Sequence, residues 1–257
     1  MNQFERLVNI MRRLRSPEGC PWDLKQDHKS LRPYLIEEAY EVIEAINSGD
    51  DQKLKEELGD LLLQIVFHAR LAEEKGHFDI SDVAERISEK IISRHPHVFE
   101  KKREITPEEV LHNWEHIKIA NSGKEEYSVL EGVPKSLPAL LKAYRVQEKV
   151  ARFGFDWEKT EEILDKIREE IGELEQSFQE GEREDVREEL GDLLFSIVNL
   201  CRRLGHSSEE ALNSTTEKFK KRFQYIEDRL REMGKSLSDS NLEEMDKLWE
   251  EAKRKRT

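Results

Sequence analysis

EELGDLL, residues 56–62, occurs a second time without a change at residues 188–194, an offset of 132. Upstream, Glu37-Glu38-x-x-Glu41 meets Glu169-Glu170-x-x-Glu173 at that same offset, and Gly49 meets Gly181. Further words follow in the same order with small slips. Gly19-Cys20-Pro21-Trp22-Asp23 answers Gly154-Phe155-Asp156-Trp157-Glu158, Gly76-His77 answers Gly205-His206, and Trp114-Glu115-x-x-Lys118 answers Trp249-Glu250-x-x-Lys253. One Glu-rich word repeats by chance in a charged chain, but several words in one order mark an internal duplication. The reading is two units, 1–120 and 137–257, joined by a Gly/Pro/Ser-bearing linker at 121–136.

Each unit reads as helices. Leu31, Leu35, Ala39, Val42, Ile43 and Ile46 repeat at three and four residues, as do Leu54, Leu58, Leu61, Leu62, Ile65, Val66 and Ala69. The spacing predicts helices over 30–47, 53–74 and 79–94, and another starting at Thr106-Pro107-Glu108-Glu109, where an N-cap precedes Pro and acids. In the second copy it predicts helices near 139–152, 159–179, 184–204, 208–233 and 239–255. No stretch alternates with period two between turn residues, so the fold class is all-α.

Composition narrows the function. The 257 residues carry a formal net charge of −13, which argues against general nucleic-acid binding through phosphate neutralisation. Two cysteines and no CxxC pair fit a reducing cytosol. Nothing approaches about 18 consecutive apolar residues, so a soluble, cytoplasmic protein with no membrane partner is expected.

The acids fall into a pattern. Glu41 lies eight residues before Gly49 and Glu57 eight after it; Glu38 lies eleven before and Asp60 eleven after. In an antiparallel hairpin turning at that glycine, the four sit opposite each other, about 12 Å from the turn. Glu173 and Glu189, then Glu170 and Asp192, repeat this symmetry about Gly181. Isolated Glu at such spacing usually faces solvent beside Lys or Arg. Four converging carboxylates instead repel each other unless a cation sits among them. All-oxygen ligands select Mg²⁺, with Mn²⁺ as the other candidate, over zinc, copper or iron. Gly59 and Gly191, inside helices where glycine costs about 1 kcal/mol, suggest close packing or the close approach of a ligand.

The pattern ExxE, a spacer, then ExxD resembles the MazG family of nucleoside triphosphate pyrophosphohydrolases, as do GCPWD, RHPHVF at 94–99 and the WExxK words. The resemblance covers nearly the whole chain and implies cleavage between the α- and β-phosphates, Mg²⁺ dependence and a dimer or larger oligomer. It makes Glu170, Glu173, Glu189 and Asp192 metal ligands, with Glu169 and Glu188 completing the shell or taking a proton. Lys218 and Arg222 would meet the triphosphate, Trp249 stack on the base and Lys253 add charge. In the first unit the corresponding set is Glu37, Glu38, Glu41, Glu57, Asp60, Lys90, Arg94, Trp114 and Lys118. The denser basic helix around Lys218 favours the C-terminal unit as the main site. Ordinary alternatives stand beside these roles: a solvated basic face for Lys218 and Arg222, a core position for either Trp, and structural roles for the histidines.

The expected reaction is in-line attack on the α-phosphorus by a metal-activated water. No GxxxxGK[ST] word is present, so γ-phosphate chemistry of the P-loop kind is not expected. Two rivals remain at this stage: a narrow pyrophosphatase for dUTP or phosphoribosyl-ATP, and a non-catalytic helical scaffold.

Overall fold

The computed structural model describes residues 1–100, 128–181 and 183–255, with 104–106, 109, 110, 113, 114 and 117 between them. The described residues form helices and turns and contain no strand. They divide into two compact units, Met1–Ile117 and Lys118–Thr257.

The first unit runs α1 (Gln3–Leu14), α2 (Pro21–Lys25), α3 (Arg32–Ser48), α4 (Asp51–Glu73), α5 (Ile80–Arg94) and α6 (Pro96–Phe99). The sequence reading began its helices at residue 30, so α1 and α2 are additions. Asn2 caps α1 by accepting from the Glu5 N–H, while the Glu5 carboxylate accepts from the Asn2 N–H. Met11 of α1 then packs with Leu31, Val66, Phe67 and Leu71, and Leu7, Val8, Leu14, Leu63 and Ile80 close around them. This is the unit's core, and it lies against the C-terminal half of α4. Burying each large side chain there stabilises by about 1.5–3 kcal/mol.

α3 and α4 form the hairpin read from the sequence. Gly49 ends α3 with φ 69°, a left-handed conformation that a side chain disfavours. Asp50 then starts α4, its carboxylate accepting from the N–H groups of Gln52 and Lys53. The expected helix start at Thr106 is capped in the manner proposed. Thr106 N–H donates to Glu109 Oε2 at 2.9 Å and Glu109 N–H to Thr106 Oγ1 at 3.3 Å. Pro107, Glu108, Glu115, His112, His116 and Lys118 lie outside the described residues, as does 121–127 of the linker.

The second unit repeats the plan with α7 (Ala139–Ala151), α8 (Thr160–Glu180), α9 (Arg183–Arg203), α10 (Ser208–Glu232) and α11 (Leu242–Arg254). Gly181, φ 81°, ends α8 as Gly49 ends α3. α10 and α11 pair through Ile226, Leu230 and Leu248, with Phe223, Met245 and Trp249 beside them. Arg202 on α9 holds Asp156 at 2.6 Å and Asn199 at 2.9 Å, tying the segment before α8 to that helix.

Candidate metal centres

The hairpins deliver their acids to one place. In the first unit, ligand oxygens of Glu38, Glu41 and Glu57 all come within 4.8 Å of one another. In the second, Glu170, Glu173 and Glu189 do the same. The cause is the register set by the turn glycine: positions equidistant from it face each other across the hairpin, and the i, i+3 acids share a face.

Electrostatics report the crowding. Burial, then Asp60 and Glu41, push the Glu38 carboxyl above its ordinary range. Glu57 is raised by burial and Glu41 against the opposing charge of Lys53. In the second unit, burial followed by Glu173, Asp192 and Glu170 raises Glu189. Oxygen-only donors that resist sharing their negative charge are the donor set a hard divalent cation satisfies. The residues present therefore fit such an ion.

Asp60 and Asp192 stand outside the two tight trios, although each is near enough to raise a member of its own trio. Glu37 and Glu169 are exposed beside them, and Glu188 is exposed on α9. A glycine-packing reading does not hold within the units: a Cβ at Gly59 or Gly191 would meet nothing within 4 Å. Their neighbours Leu58, Leu62, Leu190 and Leu194 are exposed too, so this face of each hairpin is open.

The basic and aromatic residues gather on other elements. On the α10–α11 pair, the Arg222 guanidinium sits over the Trp249 ring at 5.6 Å, and Phe219 packs on the same indole at 5.0 Å. Lys218 is exposed on α10, and Lys253 is paired with Glu250 at 2.5 Å. In the first unit Trp114 contacts His95 edge-on at 5.0 Å. Lys90 is exposed on α5 beside an apolar groove with Phe78, Val83 and Ile87, and Arg94 is half-buried at the end of that helix.

Two features escaped the sequence reading. Lys166 places its ammonium 2.7 Å from Glu169 and 2.9 Å from Glu170, whose side chain is only 5% exposed. The signal was present, since Lys166 precedes these acids by three and four residues. The other is a histidine pair: His28 and His68 stack with ring planes 5° apart and Nδ1 atoms 2.9 Å apart. The separation of 40 residues hid it.

An all-α protein with a duplicated, carboxylate-bearing helix hairpin is the class these observations define. A model of the MazG nucleotide pyrophosphohydrolase domain matches residues 26–99 and again 158–226, the two segments that hold the trios. Over 97% of its length the chain is 48% identical to 95% of a Thermotoga maritima protein named nucleoside triphosphate pyrophosphohydrolase/pyrophosphatase MazG. It is 43% identical, over 99% of the chain and 98% of the relative, to an Escherichia coli nucleoside triphosphate pyrophosphohydrolase. A solved mazG-related protein from Thermotoga maritima aligns with 45% of this chain and 98% of its own, at 34% identity and a TM-score of 0.39. The chain belongs to the MazG family of nucleotide pyrophosphohydrolases.

Proposed function

We propose that the chain hydrolyses nucleoside triphosphates to the monophosphate and pyrophosphate at centres built on its carboxylate trios, with Mg²⁺ as the ion and Mn²⁺ as its substitute. The carrying observation is that each matched MazG segment brings three carboxylates within 4.8 Å, in the same register, twice in one chain. A scaffold has no physical reason to keep either repulsive trio.

Glu170, Glu173 and Glu189 would hold the cation, with Asp192 closing on it from α9. Bound there, the cation supplies charge neutralisation for the phosphates and a water of lowered pKa. The chain's own residues do the rest. Lys166 engages Glu169 and Glu170 together, and Glu169 and Glu188 are the adjacent acids available to complete the shell or accept the proton of the attacking water. Trp249 offers a π-face to a base, and Arg222, held on that ring, offers its guanidinium to phosphate oxygens. Glu38, Glu41, Glu57 and Asp60 form the second centre, and the C-terminal unit with its basic helix is the main one.

Association with a second copy fits the open hairpin faces. Leu58, Leu62 and Ile65 form an exposed i, i+4, i+7 stripe, and Leu190, Leu194 and Ile197 form its counterpart. A homodimer buries such stripes most simply, and sedimentation velocity tests it. No described helix is long and apolar enough to cross a membrane. Both cysteines are free thiols, which suits the cytoplasm.

The test is a panel of ribo- and deoxynucleoside triphosphates incubated with and without Mg²⁺, with products separated chromatographically. Monophosphate and pyrophosphate, lost on chelation, are expected across several bases. Diphosphate and phosphate would refute the cleavage site, and turnover of a single nucleotide would favour a narrow pyrophosphatase.

A further inference from the structure

The two trios share a register but not their surroundings. Lys166, Glu170 and Glu173 lie at i, i+4 and i+7 on α8, so the lysine occupies the same helix face as two trio members. Its ammonium bridges Glu169 and Glu170, and Glu170 is nearly sealed from solvent. At the corresponding position of the first unit stands Tyr34, whose ring is engaged edge-on with Trp22 at 5.8 Å. The acid there, Glu38, is only half-buried and is approached instead by the neutral amide of Gln64, Nε2 to Oε1 at 3.4 Å. Gln64 in turn corresponds to Ser196. One lysine does act on the first trio: the Lys53 ammonium, 3.9 Å from Glu44, opposes the rise of Glu57 through its charge, without the contact that Lys166 makes with Glu170. Glu38 thus has a dipole on its half-buried carboxylate where Glu170 has a full positive charge in direct contact.

Resting on the reading of the trios as metal centres, we propose that Lys166 is an internal counter-ion of the C-terminal trio that competes with the divalent cation for Glu170. The two centres of one chain then bind the ion with different affinities, the N-terminal one more tightly. An ion taking up Glu170 displaces the ammonium from that carboxylate, and Glu169 keeps it close by. A single charge about 5 Å from a divalent ion, even in full water screening, weakens binding about tenfold. The functional consequence is a division of labour. The N-terminal centre holds a resident ion at low free concentration, while the C-terminal centre fills when the ion arrives with the triphosphate it neutralises. Lys166 is a positioning residue in this account, acting on the ion through Glu170.

The experiment titrates the full chain with Mn²⁺ and reads the free ion by electron paramagnetic resonance, with no nucleotide present. Glu41→Gln with Glu57→Gln silences the first trio, and Glu173→Gln with Glu189→Gln silences the second. The chain that keeps only the first trio is expected to bind about tenfold more tightly than the chain that keeps only the second. Adding Lys166→Met to the latter should tighten its binding by about that factor. Tyr34→Lys, at an exposed position, should loosen the former by a similar factor and serves if Lys166→Met misfolds. Unchanged or weaker binding in Lys166→Met, or an indifferent Tyr34→Lys, overturns the proposal while leaving the metal centres in place. No Mn²⁺ binding by the wild-type chain overturns the metal-centre reading itself, and this proposal with it.

Discussion

Replacing Gly191 by Ala should stabilise the metal-free chain, whereas the same replacement at Gly181 should destabilise it. Gly191 lies inside α9, where glycine costs up to about 1 kcal/mol relative to Ala because its unfolded chain is freer. A Cβ built there meets nothing within 4 Å, so no steric term offsets that gain. Gly181 also has open space around it, but its φ of 81° places a Cβ against its own backbone. That conformation costs an L-residue roughly 1–2 kcal/mol. The two substitutions therefore differ by about 2–3 kcal/mol while altering the same atoms. For a unit of this size each kcal/mol moves the melting temperature by about 3–5 °C. Urea denaturation followed by circular dichroism, on dilute protein in chelator, measures both. Destabilisation by Gly191→Ala under those conditions would refute the reasoning. A stabilised variant that loses turnover or association would show that this glycine is kept for something that approaches from outside the unit.

Further outcomes follow from the same geometry. Glu170→Ala with Glu173→Ala should abolish most nucleotide hydrolysis, while Glu38→Ala with Glu41→Ala should leave much of it; steady-state pyrophosphate release decides, and the reverse pattern would move the main centre to the first unit. Trp249→Ala should raise KM for every nucleotide by about tenfold, because a base–aromatic stack is worth about 1–3 kcal/mol; an unchanged KM would leave Trp249 as packing for Phe219 and Arg222 alone. Burial, and then the neighbouring His28, hold the His68 imidazole below its ordinary pKa. The folded state therefore binds this proton less readily than the unfolded state. The contribution is full above about pH 6.5 and lost as the pH falls below it. Thermal scans at pH 7.5 and 5.5, with His68→Phe as the control, should show that dependence in the first unit. The second has Thr160 and Leu200 at the corresponding positions and should lack it.

The hairpins were legible because three independent signals agree on them. The apolar spacing sets the helix face, the glycine sets the turn, and equal distances from the glycine pair the acids. Duplication removed the remaining ambiguity. The surroundings of the trios were less accessible. Lys166 reads as one more i, i+4 partner of glutamate in a chain with 43 Lys and Arg. Its meaning appears only once Glu170 is seen to be buried. His28 and His68 meet through tertiary packing that no local period encodes. The stripe of Leu7, Val8, Met11 and Leu14 has helical spacing, so α1 was readable in the sequence as well. The open faces around Gly59 and Gly191 show the opposite case, in which a sequence cue for close packing has no partner inside its own unit.

α4 is one helix of 23 residues with two unlike halves. Its buried residues begin at Gln64 and run to Ala72, whereas Glu57 and Asp60 occupy turns with no buried side chain. Opposite them, α3 buries only Ala45. The acid-bearing end of the hairpin thus has no apolar core of its own, and the cation would stand where a hydrophobic cluster stands at the other end. Amide exchange along α4 should then run as a gradient, slow past Gln64 in any buffer and slow before Asp60 only when the ion is bound.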